Sequence, residues 1–206
     1  GGLYTFNDII DAKEDSRHPI KKHRPIPSGR ISVRSAAIFS ILLIAGGLVA
    51  GSFLISDEVY RLYFIFIFLN IIYTLAFKKI IYLNLAIIAS THTLRFVMGA
   101  TLAQHSFIFT DIAAFYLLLF NVAVTIHSMF NLKPYETPFY TRKAVACIQA
   151  LCLALPLLLL TYTKYTLNLP IAAFWSGALL LSLLSYFKYF RPFIAKIFMI
   201  KLSLKN

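Results

Sequence analysis

The sequence predicts an all-α fold, a polytopic transmembrane helical bundle, on three observations. Of 206 residues, 59% are hydrophobic and only 14% are charged, where a soluble domain keeps about a quarter of its residues charged. The apolar residues gather in six blocks, each able to form a helix of roughly 20 residues, enough to cross about 30 Å of hydrocarbon. Lys and Arg collect at alternate ends of these blocks, as they do in the cytoplasmic loops of membrane proteins. The net charge of +12 is therefore read as topology, with the membrane as partner and no nucleic acid.

Taken in order, Gly1 to Ile10 reads as the tail of a membrane helix. The chain opens Gly-Gly-Leu-Tyr without Met, so amino-terminal helices are expected to be missing. The six blocks follow at Ser35–Ser56, Val59–Phe77, Ile81–Ala103, Phe109–Phe130, Ala144–Tyr162 and Leu169–Phe190. Pro156 should kink the fifth, whereas Pro170 suits the first turn of the sixth. Gly46, Gly47, Gly51 and Gly99 are placed to let neighbouring helices approach closely. Seventeen of the twenty basic residues fall on one side, which is taken as cytoplasmic and points to an integral protein of the cell's inner (plasma) membrane. No internal repeat or linker divides residues 1–206, which are read as one integral-membrane domain. Cys147 and Cys152 lie inside an apolar block and read as reduced packing residues.

The stretch "NDIIDAKEDSRHPIKKHRPIPSGRIS", Asn7 to Ser32, breaks this apolar pattern and holds four of the eight acids. Asp8, Asp11 and Asp15 are spaced i, i+3, i+7, one face of a helix, and Asn7 lies at i, i+4 to Asp11. Clustered carboxylates repel one another unless a cation sits between them. Hard oxygen donors of this kind suit Mg²⁺, which typically bridges carboxylates to substrate phosphates. The second half is basic. Pro19, Pro25, Pro27 and Gly29 forbid a regular helix from Arg17 to Arg30, so the segment is a stiffened loop. Lys21, Lys22, Arg24 and Arg30 form its cationic rim, and His18 and His23 can hydrogen-bond the same anion. A diphosphate gripped through Mg²⁺ on one side and Lys or Arg on the other satisfies both halves.

These residues closely resemble the first aspartate-rich motif of the UbiA superfamily of intramembrane transferases. Asn7, Asp8, Asp11 and Asp15 match its N-D-x-x-D-x-x-x-D pattern, and Arg24, Pro25 and Gly29 match the R-P-x-x-x-G that follows. The resemblance implies a bundle commonly of nine membrane helices that binds a diphosphate through Mg²⁺ and transfers the attached group to an acceptor. "HPIKKHRP" resembles the branch that moves phosphoribose from phosphoribosyl diphosphate to a polyprenyl phosphate. "YTLAFKKIIYLNLAIIASTHTLRFVMGA" then supplies Tyr73, Lys78, Arg95 and Gly99 in the order of that branch's second motif. Asn84 stands where the motif has an Asp, and His92 where a small residue is usual. The resemblance spans Gly1 to Ala100.

It implies Asp8, Asp11 and Asp15 as metal ligands and catalytic residues. Asn7, His18, Lys21, Lys22, Arg24, Tyr73, Lys78, Asn84 and Arg95 are implied as substrate-binding. The leading expectation is Mg²⁺-dependent phosphoribosyl transfer to an isoprenoid lipid. The alternatives are prenyl transfer from a prenyl diphosphate to an aromatic or glycerol acceptor, and a non-catalytic truncated relative. Arg95, deep in the third block with His92 one turn before it, is expected to meet an anion. His127 and Asn131, with Lys133, Tyr135 and Glu136, read equally as a plain loop or a site; His105 and Asp111 read as interface residues. Acceptor, isoprenoid length and oligomeric state stay open.

Overall fold

The structure is a computed structural model that describes residues 1–104, 108–130, 141–162 and 169–197. Among them every regular element is helical. Among the described residues five helices are long and apolar enough to cross a membrane, which makes the chain an integral membrane protein. Two compact units divide it, Gly1–Lys78 and Lys79–Asn206.

In the first unit α1 spans Gly2–Asp15, α2 Val33–Leu54 and α3 Asp57–Ile72. Ser32 starts α2 by accepting the Ser35 amide on its hydroxyl at 3.0 Å, the usual service of an N-cap serine. Asp57 and Glu58 fill the first turn of α3, where carboxylates meet the positive end of the helix dipole. Phe39, Ile41, Leu42, Phe53 and Leu54 of α2 are exposed, the surface of a helix surrounded by hydrocarbon rather than water.

Glycines set how closely these helices meet, though only some of those expected. At Gly2 a Cβ would lie 2.8 Å from Ile44 Cγ1 and 2.9 Å from the Ser40 carbonyl oxygen. The buried Ser40 hydroxyl donates to the Gly2 carbonyl at 2.9 Å, locking α1 onto α2. Gly47 faces the Tyr63 hydroxyl and Gly51 the Tyr60 ring, while Gly46 and Gly99 face nothing within 4 Å. Gly2→Ala should therefore cost about 1–3 kcal/mol, because backbone must move. Gly47→Ala displaces only the end of a tyrosine and should be near neutral, which thermal unfolding of the two variants in one detergent would show.

After Ile72 the α3 helix widens for five residues, Tyr73–Phe77, with the Lys78 amide bonded to the Tyr73 carbonyl at 3.0 Å. This π turn inserts one residue, which turns the side chains after it by about 100° relative to a continued α-helix.

The second unit holds α4 (Leu83–Leu102), α5 (Phe109–Phe130), α6 (Arg142–Tyr162), α7 (Leu169–Leu184) and α8 (Arg191–Ile197). The sequence expected one last helix to Phe190. Instead α7 tightens into i→i−3 bonds at Tyr186 and Phe187. A 3₁₀ turn, Lys188–Phe190, follows, and Pro192 sits in the first turn of a new helix, where proline is tolerated. Pro156 lies within α6 and is fully buried. One turn before it the Leu153 carbonyl accepts the Trp175 indole N–H at 2.9 Å, the kind of neighbouring-helix donor that a proline-weakened ladder calls for.

Buried amides and hydroxyls stitch α5, α6 and α7 together. Gln149 donates to the Thr125 hydroxyl at 2.8 Å and accepts from Tyr186 at 2.9 Å; Ser182 lies 2.9 Å from Asn121 Oδ1. In hydrocarbon such bonds are each worth about 0.6–2 kcal/mol of helix association. Phe96 stacks on Phe115 at 4.2 Å between centroids, and Phe115 tilts against Phe174 at 5.3 Å.

Candidate functional site

The acidic face is a helix face, as its spacing predicts: α1 runs through Asp15. It ends there because Pro19, four residues on, has no amide to continue the ladder. Asp8 is half-exposed and Asp15 is buried.

The loop from Ser16 to Ile31 folds back over that face and staples itself in place. The Ser28 amide bonds to the Arg24 carbonyl at 3.0 Å, and the Ile31 amide to the Pro25 carbonyl at 3.1 Å. Arg30 donates to the His23 carbonyl at 2.5 Å and to the Ser28 hydroxyl at 3.1 Å. Its guanidinium thus shapes the loop rather than standing in a rim. Gly29 takes φ +76°, a left-handed conformation that costs any residue with a Cβ about 1–2 kcal/mol.

The result is a charge cluster inside the first unit. Arg24 Nη1 bridges two carboxylates, 3.0 Å from Asp8 Oδ1 and 2.8 Å from Asp15 Oδ2. Lys21 Nζ adds to Asp15 at 3.3 Å. From the end of the π turn, buried Lys78 forms an ion pair with Asp11. Asn7 joins through Oδ1, 3.4 Å from the Thr74 hydroxyl. Asp8 and Asp15 thus meet Arg24 and Lys21, and Asp11 pairs with Lys78, the groups coming from one helix, one loop and one turn.

The remaining residues singled out by the sequence stand differently. His18 points its Nδ1 at the loop's own amides, and Lys22 is exposed. Tyr73 opens the π turn. Asn84 and Arg95 belong to the second unit. Asn84 is buried, and its Oδ1 accepts the Leu85 amide at 2.7 Å, so that oxygen serves the start of α4. Arg95 is exposed on α4, as is His92, whose Nδ1 meets the Ile88 carbonyl at 2.9 Å. His127 is in α5; Asn131, Lys133, Tyr135, Glu136 and His105 lie outside the described residues. Sequence reasoning missed the Asn121, Thr125, Gln149 and Ser182 network. Its one signal was polar residues at i, i+4 (Asn121 and Thr125) within an apolar block.

Among the described residues no three His, Cys, Asp or Glu side chains converge as a metal-binding group. What converges is two carboxylates on one cationic nitrogen. The cluster's bases are of the kind that meet phosphate oxygens, and its carboxylates are hard oxygen donors.

Over 100 residues the chain is 32% identical to the protein y4nM of Sinorhizobium fredii, covering 48% of this chain and 19% of that protein. It is 31% identical over 104 residues to the nodulation protein NoeC of Azorhizobium caulinodans, covering 50% of this chain and 33% of NoeC. With the digeranylgeranylglyceryl phosphate synthase of Methanothrix thermoacetophila it shares 40% identity over 108 residues, 52% of this chain and 39% of that enzyme. The chain thus spans well under half the length of each relative. No solved structure matches it. The UbiA prenyltransferase family, by contrast, matches residues 1–192, nearly the whole chain, and the chain belongs to that family.

Proposed function

We propose that this chain carries the diphosphate-binding centre of an intramembrane prenyltransferase that moves a prenyl group from a prenyl diphosphate to a hydroxyl of a glycerol-type lipid precursor. The observation that carries the reading is the cluster itself. Arg24, Lys21 and Lys78 are already drawn onto the three aspartates, so bases able to take phosphate oxygens and acids able to take a divalent cation lie along the same helix, α1. The glycerol acceptor follows from the relative named digeranylgeranylglyceryl phosphate synthase.

The residues fit Mg²⁺ by their donor chemistry. Asp8 and Asp15 already share one cationic centre, Arg24 Nη1, and would hold the ion, with Asp11 joining when Lys78 releases it. When bound, Mg²⁺ supplies charge neutralisation for the departing diphosphate. The chain's own part is to bind and orient. Lys21, Lys22, Arg24 and Lys78 offer donors for the phosphate oxygens, and the loop stapled by Arg30 and Gly29 holds Lys21 and Arg24 on the acids. In the transfer the allylic C–O bond breaks and its electron pair leaves with the diphosphate. The acceptor oxygen forms the new C–O bond and gives up its proton to the released diphosphate.

A second reading, phosphoribosyl transfer to a polyprenyl phosphate, keeps the same diphosphate grip. The turn at His18-Pro19-Ile20-Lys21, the resemblance on which that branch rests, lies at the cluster and delivers Lys21 to Asp15. The named synthase relative gives it no support.

The test uses membranes containing the protein, Mg²⁺ and labelled geranylgeranyl diphosphate with a phosphoglycerol ether acceptor. Label should enter the lipid fraction and fall at least 100-fold in Asp15→Asn. Label from phosphoribosyl diphosphate with polyprenyl phosphate, and none from the prenyl donor, would reverse the two readings. Silence in both would sink transferase activity for this chain.

A further inference from the structure

We propose that His18 is a positioning residue whose imidazole Nδ1 fixes the turn that delivers Lys21 to the carboxylates, and that it does not itself contact the anion. What Lys21 is delivered to rests on the diphosphate reading above; the role of His18 in the turn does not.

His18 Nδ1 lies 3.2 Å from the Ile20 amide and 3.3 Å from the Lys21 amide. A backbone N–H can only donate, so Nδ1 presents its lone pair as the acceptor. Pro19 has no N–H. Ile20 and Lys21 therefore carry the first amides after His18 that need an acceptor, and they open the short 3₁₀ turn Lys21–His23. Its entry amides have no partner within the turn, and the imidazole supplies one.

The backbone of His18 grips the same place. Its amide bonds to the Asp15 carbonyl at 3.1 Å, and its carbonyl accepts the Lys22 amide at 3.1 Å. One residue thus ties the end of α1 to the turn through four hydrogen bonds, two of them made by the ring. Lys21 and Lys22 are both exposed, and Lys21 leaves that turn with its ammonium 3.3 Å from Asp15. Without the ring acceptor the turn loses the constraint that decides which lysine faces the acids.

Three variants separate positioning from contact. The Asn side-chain oxygen falls close to the place of Nδ1, whereas the Gln amide reaches the place of Nε2. Binding of inorganic pyrophosphate with Mg²⁺ to the whole protein in nanodiscs is measured calorimetrically, beside hydrogen exchange of the Ile20 to His23 amides. His18→Ala and His18→Gln should weaken pyrophosphate about tenfold and speed exchange, and His18→Asn should recover most of both losses. Binding kept by Gln and lost by Asn would overturn the proposal in favour of direct contact through Nε2. Unchanged binding in His18→Ala, or equal exchange in all variants, would also overturn it. If the wild-type protein binds no pyrophosphate, the diphosphate reading fails, and the exchange rates alone uphold or sink the turn-fixing role.

Discussion

Replacing Lys78 with methionine is expected to destabilise the protein by about 3–5 kcal/mol, the cost of leaving a buried carboxylate without its counter-ion. Lys78 and Asp11 keep only 8% and 12% of their side-chain surface exposed, so water screens the pair little. The cost belongs to an Asp11 that has lost its cation and not to the loss of a lysine as such. Lys78→Met with Asp11→Leu should accordingly recover most of the stability, since a buried pair replaced on both sides by apolar groups is often neutral. Transfer activity should not return, because the double variant has lost both a phosphate donor and an acid. Thermal unfolding in detergent, run as a double-mutant cycle beside the transfer assay, separates the two roles. Full activity in the double variant would show that the pair merely holds α1 to the end of α3.

How far the sequence could be read depended on whether a feature was local. The i, i+3, i+7 spacing of Asp8, Asp11 and Asp15 placed them on one helix face because α1 is regular over that whole length. The proline spacing likewise made Arg17 to Arg30 a stiff loop. Which base meets which acid was not readable. Lys78 reaches Asp11 through a π turn that shifts the register by one residue, and no residue pattern in "YTLAFKK" announces the extra residue. Arg30 sits in the same basic run as Arg24, yet one closes the loop on itself and the other crosses to α1; the difference lies in the left-handed Gly29 between them and the hydrogen bonds around it. What Arg95 meets was not readable either: position along an apolar helix gives depth, but exposure depends on neighbours, and α4 buries Asn84, Leu85, Ile87, Ala89, Thr91 and Thr93 while Arg95 is exposed. Gln149 and Ser182 could not be linked to Asn121 at all, since the partners come from three separate helices.

Replacing Arg24 with methionine should cut transfer by about 10²–10³-fold, the usual loss when one preorganised charge donor is removed, and should also change how the protein responds to metal. Arg24 Nη1 stands between Asp8 and Asp15, so a divalent cation arriving alone must displace a guanidinium that has no other anion to turn to. A metal arriving with a diphosphate faces no such conflict: each base freed from an aspartate gains a phosphate oxygen. Mg²⁺ and diphosphate are therefore expected to bind cooperatively, with a coupling of about 1–3 kcal/mol. In wild-type protein millimolar Mg²⁺ alone should barely raise the unfolding temperature, while Mg²⁺ with pyrophosphate should raise it clearly. In Arg24→Met the acids lose their shared counter-ion. The variant should start less stable by about 1–3 kcal/mol, a cost limited because Arg24 is partly exposed and Lys21 remains on Asp15. Mg²⁺ alone should then stabilise it, by about 2.7 kcal/mol at a hundred times its dissociation constant. The sign of this change is the decisive readout. If Mg²⁺ alone stabilises wild type as much as the variant, Arg24 does not hold the place of the metal, and Asp8 and Asp15 are paired for structure only.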